Sequence, residues 1–408
     1  MTQDHSPAFF CRVCWLLLLA SVAVGCAVNP ATGERDFVLM SEAAEIKLGR
    51  QSHQQIIDQF GLYDDSELQS YVQQVGEQLA LKSHRADLVY RFTVLDSDQV
   101  NAFALPGGYI YITRGIMAYL NSEAELAAVL GHEIGHVTAR HGVQQLSQQQ
   151  ATGLGYLIGS IFVPALRSAG AQNLFNLLGS AWVRGYGREH ELEADSLGAE
   201  YIARSGYQPK AMIEVIGVLK DQEIFDKELA KKEGREPRAY HGVFATHPKN
   251  DTRLQQVVGR ANALATADAN QINRDEYLSK IEGMVFGDSE AQGIRRGSSF
   301  YHAELGFALA FPEGWRIDNR PSAIVAQAPQ GAAVIQISAE DINKRIAADE
   351  FIKTRLKVNA LKQGRTLSSH GLEGYTGLTR GNTPFGQRDI RVSVMYMGTK
   401  AYTFFATT

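Results

Sequence analysis

Leu68, Val72, Val75 and Leu79 recur every three to four residues, the spacing that gathers apolar side chains on one helix face, and predict a helix from Ser66 to about Lys82. An earlier helix opens at Ser41, with Glu45 nearby, and runs to about Phe60. Tyr90–Leu95 alternates like a strand, and Gly107-Gly108 introduces a second strand, Tyr109–Thr113. Leu126, Val129, Leu130 and Val137 form the apolar face of a further helix, capped by Asn121 or Ser122, with Ser122 and Glu125 spaced as a capping box. Another helix runs from about Arg188 to Arg204 and stops at Ser205-Gly206; Gln208-Pro209 starts the next. Lys220–Arg238 is so charged that a solvated helix and loop is expected. Pro248 starts a helix ending near Leu264, and one more ends at about Glu282.

Beyond that the pattern changes. Gly283–Ser299 carries the glycines and serines of a boundary, giving a first domain over residues 26–284, a linker over 285–299 and a second domain over 300–408. The second domain offers short strands at Phe307–Phe311, Ala323–Gln327, Ala333–Ile337, Tyr375–Thr379, Ile390–Met397 and Tyr402–Phe405, interrupted by one helix, Ala347–Gln363. The fold class expected is α+β: a mostly helical domain with a small sheet, then a smaller α+β domain. Ala151–Trp182 is apolar and glycine-rich, but Pro164 and Arg167 break it, so it does not read as a membrane span. A buried helical hairpin and a lid or membrane-facing flap remain open for it.

Composition is that of an ordinary globular protein, and a net charge of −4 gives no electrostatic reason to expect nucleic acid. The N-terminus departs from it. Val13–Gly25 is an apolar run preceded by Arg12, too short to span a bilayer and typical of a signal peptide over residues 1–25. Ala23-Val24-Gly25 before Cys26 resembles a bacterial lipobox, which implies a lipidated Cys26 holding the protein to a membrane surface; Ala27, in place of an acidic residue, implies the outer membrane. A plain secretory signal or uncleaved anchor is the alternative. All three cysteines lie in this segment, so the mature chain can form no internal disulfide.

The chemistry centres on His132-Glu133-Ile134-Gly135-His136. Imidazoles four residues apart on a helix project from one face and can share a metal, with Glu133 beside it to take a proton from water. A zinc hydrolase needs a third ligand, expected on a separate downstream helix. Arg188–Glu200 supplies an acidic one: Glu191 and Asp195 share a face, and Glu193 lies on another. His141, one turn past the pentad beside Arg140, reads as a solvated or structural neighbour, and His190 as pointing elsewhere.

The pentad followed by Glu191-Leu192-Glu193-Ala194-Asp195 resembles the HtpX and CAAX-prenyl-protease family of zinc metallopeptidases, with motifs HExxH and ExxxD. NPATG (29–33), NAFALPGGYIYITRG (101–115) and THP (246–248) are similar to its periplasmic lipoprotein branch. That resemblance implies a gluzincin-type fold and one Zn²⁺ per chain held by His132, His136 and Glu191. It also implies Glu133 as general base and Asp195 as a residue that orients a ligand imidazole or acts as a proton donor. His247 would sit near the metal, filling its open position, or would contact substrate; supporting the helix start is the plainer role. Residues 101–115 would supply a cleft-edge strand for extended substrates. The activity implied is endoproteolysis of unfolded or misassembled cell-envelope proteins in the periplasm, with the outer-membrane assembly machinery as partner. A chaperone or assembly factor with latent protease activity is the alternative. The helical repeats of that branch are missing after residue 285. FALAFPEGW (307–315) there resembles the start of PsbP-like α/β modules.

Overall fold

A computed structural model describes residues 26–148, 186–233 and 259–407, except 267, 291, 304, 321, 322, 359, 384 and 385. The expected signal peptide, the whole apolar run 151–182 and His247 lie outside the described residues. The chain divides into two compact units, with Phe286 in the first and Gly287 in the second; Asp58–Gly61 groups with the second.

The first unit starts with an antiparallel hairpin, β1 (Cys26–Val28) and β2 (Arg35–Phe37), followed by α1 (Glu42–Phe60) and α2 (Ser66–Ala80). Asp65 caps α2, its carboxylate accepting the backbone N–H groups of Glu67 and Leu68 at 3.0 and 2.9 Å. Leu68, Val72, Val75 and Leu79 are buried, as their spacing predicts. Strands β3 (Arg91–Leu95), β4 (Ala102–Leu105) and β5 (Tyr109–Thr113) form a sheet of order β3-β5-β4, with β3 parallel and β4 antiparallel to β5. After the short α3 (Arg114–Met117) comes α4 (Glu123–Thr138), then residues 141–148, which are also helical. The helices α5 (Arg188–Arg204), α6 (Ala211–Glu233) and α7 (Arg274–Ile281) complete the unit. The charged stretch beyond Lys220 is thus helical as far as Glu233.

Every residue of α4 is buried. A helix enclosed on all sides needs no polar face, so the apolar stripe read from sequence understates how deep it lies. Glu123 shows how a charge is tolerated there. Its carboxylate accepts the hydroxyls of Tyr71 and Tyr207, each at 2.8 Å, and the amide of Asn273 at 2.7 Å.

The second unit is sheet-rich. Strands β6 (Ile294–Arg296), β7 (Ser299–His302) and β8 (Phe307–Ala310) form one antiparallel sheet, so β6 falls in the stretch read as a link. The larger sheet contains β9 (Arg316–Arg320), β10 (Ala323–Gln327), β11 (Val334–Asp341), β12 (Lys362–Ser369), β13 (Leu372–Thr383), β14 (Gly386–Met397) and β15 (Lys400–Thr407). Its order is β12-β13-β14-β15-β11-β10-β9, antiparallel throughout. The helix expected over 347–363 is only α8 (Ala348–Thr354), and Lys362 already belongs to a strand. Leu356, Val358 and Leu361 mimic helical spacing because they pack, from irregular backbone, on the same core as Phe351 and Ile352. Mixed helix and sheet, helical first and sheet-rich second, is the α+β class expected.

Candidate metal centre

Ser122 caps α4, its hydroxyl accepting the Glu125 backbone N–H at 3.3 Å. The reciprocal bond goes one residue further back than a capping box would place it, from Asn121 N–H to the Glu125 carboxylate at 2.8 Å. The helix then delivers His132 and His136 to the face packed on α5. The two backbones approach closely because the seam holds small residues. A Cβ on Gly135 would lie 2.8 Å from the Ala194 carbonyl oxygen, and one on Gly198 would lie 2.9 Å from the His132 nitrogen. This approach lets the short carboxylate of Asp195 reach an imidazole on the neighbouring helix.

His132 Nε2 and His136 Nε2 lie 3.0 Å apart. Glu191 closes the triangle, with one oxygen 3.3 Å from His132 Nε2 and the other 3.5 Å from His136 Nε2. Among the described residues these three form the group whose ligand atoms could hold a metal ion, and all are buried. A tetrahedral first-row metal with bonds of about 2.0–2.2 Å spaces its ligands about 3.3–3.6 Å apart. The two carboxylate separations fall in that range, and the imidazole pair is a few tenths short. Two nitrogens and a carboxylate therefore fit a divalent metal. Glu133, next to His132, is buried at 1% exposure.

His132 Nδ1 lies 2.9 Å from Asp195 Oδ1 and donates to it. Burial alone would lower the His132 imidazole, but hydrogen bonds and charge from Asp195 and Glu191 raise it to about 10. Burial drives His136 well below the ordinary imidazole value, aided by His132, His141 and His190.

Two histidines read blandly from sequence, and a tyrosine the sequence did not single out, belong to this centre. His141 is fully buried, and its Nδ1 lies 2.8 Å from His136 Nδ1. Its Nε2 faces Glu193 at 3.2 Å, so Glu193 sits behind His141 and outside the ligand triangle. His190 stacks on His141 with ring centroids 4.2 Å apart, and burial followed by the charge of His141 lowers it to about 4. Tyr186, at the edge of the described residues, stacks on His136 at 4.1 Å. Burial and the charges of Glu133 and Glu191 push its hydroxyl far above the usual range. The interval of five from His136 to His141 falls outside any ligand motif, so spacing gave no signal for it.

Residues 66–261 match the profile of Peptidase family M48. The beta-barrel assembly-enhancing protease of Escherichia coli K12 is 29% identical over 247 residues, covering 59% of this chain and 48% of that one. Its Yersinia pestis counterpart is 31% identical over 206 residues, covering 49% and 40%. Mitochondrial metalloendopeptidase OMA1 of Arabidopsis thaliana is 28% identical over 205 residues, covering 50% and 38%. The chain spans about half the length of the curated relatives it matches. A solved PsbP chain from Synechocystis sp. PCC 6803 matches 30% of this chain and 85% of that one at 18% identity, with a TM-score of 0.23, too slight a likeness to inform the second unit.

Proposed function

Because residues 66–261 are a peptidase family M48 domain, we propose that the protein is a zinc-dependent metalloendopeptidase that cleaves unfolded or misassembled proteins of the bacterial cell envelope. The observation that carries this is the convergence of His132 Nε2, His136 Nε2 and the Glu191 carboxylate within 3.0–3.5 Å of one another on two packed helices. These three residues would hold the metal. When bound, zinc supplies a Lewis acid that polarises the scissile carbonyl and makes water a better nucleophile.

The chain's own residues do the rest. Glu133 takes the proton of the attacking water and returns it to the departing amine. Asp195 holds the His132 ring with its Nδ1–H outward, leaving Nε2 as the donor atom. Accepting the His132 Nδ1–H suits Asp195 to orientation better than to proton donation. His247 is assigned near the metal from sequence resemblance alone.

The names of the E. coli and Y. pestis relatives support a substrate or partner in β-barrel assembly. Lipidation at Cys26 would keep the protein at the periplasmic face of the outer membrane. None of the described helices is long and apolar enough to cross a membrane.

The test is digestion of an unfolded β-barrel protein by purified protein with and without zinc, beside Glu133→Gln and His247→Ala. Expected is zinc-dependent cleavage, reduced about 10²–10⁴-fold in Glu133→Gln and retained or raised in His247→Ala. Binding without cleavage by every metal-loaded form would overturn the reading in favour of a holdase.

A further inference from the structure

A metal-binding imidazole must keep its proton on the nitrogen facing away from the metal, and something must hold it there. For His132 that partner is Asp195. For His136 it is another histidine. His136 Nδ1 and His141 Nδ1 are 2.8 Å apart, so a single proton lies between them. His136 can offer Nε2 to a metal only when Nδ1 carries the proton and donates to His141. His141 must then accept at Nδ1 and carry its own proton on Nε2, which faces Glu193 Oε2 at 3.2 Å. An ionised carboxylate only accepts, so it selects that tautomer.

The carboxylate is itself held. Asn29 donates from Nδ2 to Glu193 Oε1 at 3.1 Å. Its amide orientation follows from the turn it makes, since Oδ1 accepts the backbone N–H groups of Ala31 and Thr32 at 2.9 and 3.3 Å. His141 is wholly buried and Asn29 nearly so. The hydrogen bonds run in one direction, from Asn29 to Glu193 and from His136 through His141 to the same carboxylate.

We propose that His141 is a positioning residue that fixes the tautomer and ring plane of His136, backed by Glu193 and by Asn29 of the hairpin that begins at Cys26. The inference rests on the metal-site reading above. It also gives the N-terminal hairpin a part in the centre, three residues from the expected lipid attachment.

The side-chain geometry offers a discriminating test. Asparagine places an oxygen where the histidine Nδ1 was, restoring an acceptor for His136 but losing the donor to Glu193. Glutamine places a nitrogen where Nε2 was, keeping that donor without the acceptor. Zinc affinity of the full protein is measured by competition with a chromophoric chelator, with circular dichroism and melting recorded for each metal-free variant. Glu191→Ala is the control for the site itself. Expected is a loss of about 10–100-fold for His141→Ala, the same for His141→Gln, and substantial recovery in His141→Asn. Equal affinities for Asn and Gln among folded variants, or an unchanged His141→Ala, would overturn the proposal. Unchanged affinity in Glu191→Ala would instead sink the metal-site reading on which it rests.

Discussion

Two imidazoles four residues apart can share a metal only if each turns a lone pair toward it, and the neighbours decide whether they do. His132 has Asp195 at 2.9 Å and His136 has His141 at 2.8 Å, so both outward nitrogens are engaged. The first partner was legible, because an acidic residue four after Glu191 lies on the same helix face. The second was not. His141 lies just past the C-cap Ala139, after Arg140 at φ 59°, and that left-handed step turns it back toward the site. No periodicity carries through such a turn. Another histidine gives a prediction away from the metal. His53 Nδ1 lies 2.8 Å from the Tyr111 hydroxyl, and burial followed by the charge of Arg91 lowers its pKa. The unfolded chain therefore binds that proton more tightly than the folded one. Stability from neutral His53 is complete above about pH 6.5 and declines as pH falls below it, toward the folded midpoint. NMR titration of the His53 ring should give a midpoint under the ordinary imidazole value; one at or above it would contradict the assignment.

Helices α4 and α5 form the element that makes a site of these residues. The seam's small residues lie one turn apart, Gly131 and Gly135 on α4 and Ala194 and Gly198 on α5, and were not singled out in the sequence. What could not be read was that the two faces meet, since nothing local ties residue 135 to residue 194. Gly135→Ala measures how much that contact matters. Helix propensity alone favours the change by about 1 kcal/mol. Against it, the new Cβ would sit 2.8 Å from the Ala194 carbonyl oxygen and 3.0 Å from its Cα, backbone atoms that move only if α5 moves. Overpacking of this kind costs about 1–3 kcal/mol, so the clash should win. The expected outcome is a lower melting temperature together with weaker metal binding, because Glu191 and Asp195 ride on α5. A more stable variant with unchanged metal affinity would show that the seam is looser than described.

Over the whole chain, the first unit was the more legible. Helices Glu42–Phe60, Ser66–Ala80 and Arg188–Arg204 begin and end close to where caps and breakers place them, since a helix carries its signal in its own sequence. The second unit was less so. Strands β6, β7, β9 and β12 passed unread, and the start of β12, Lys362 and Gln363, was taken into an expected helix. A short or exposed strand such as Lys362–Ser369 is defined by its partner β13, and its own alternation says little. The activity claim rests on one cluster in the first unit, so the most direct measurement is the metal content of purified full-length protein, beside a His132→Ala/His136→Ala double variant. One zinc per chain, lost in the double variant while the fold persists, is the expected result. Folded protein that takes up no stoichiometric metal from zinc-containing buffer, or a double variant that keeps its full zinc, would contradict it.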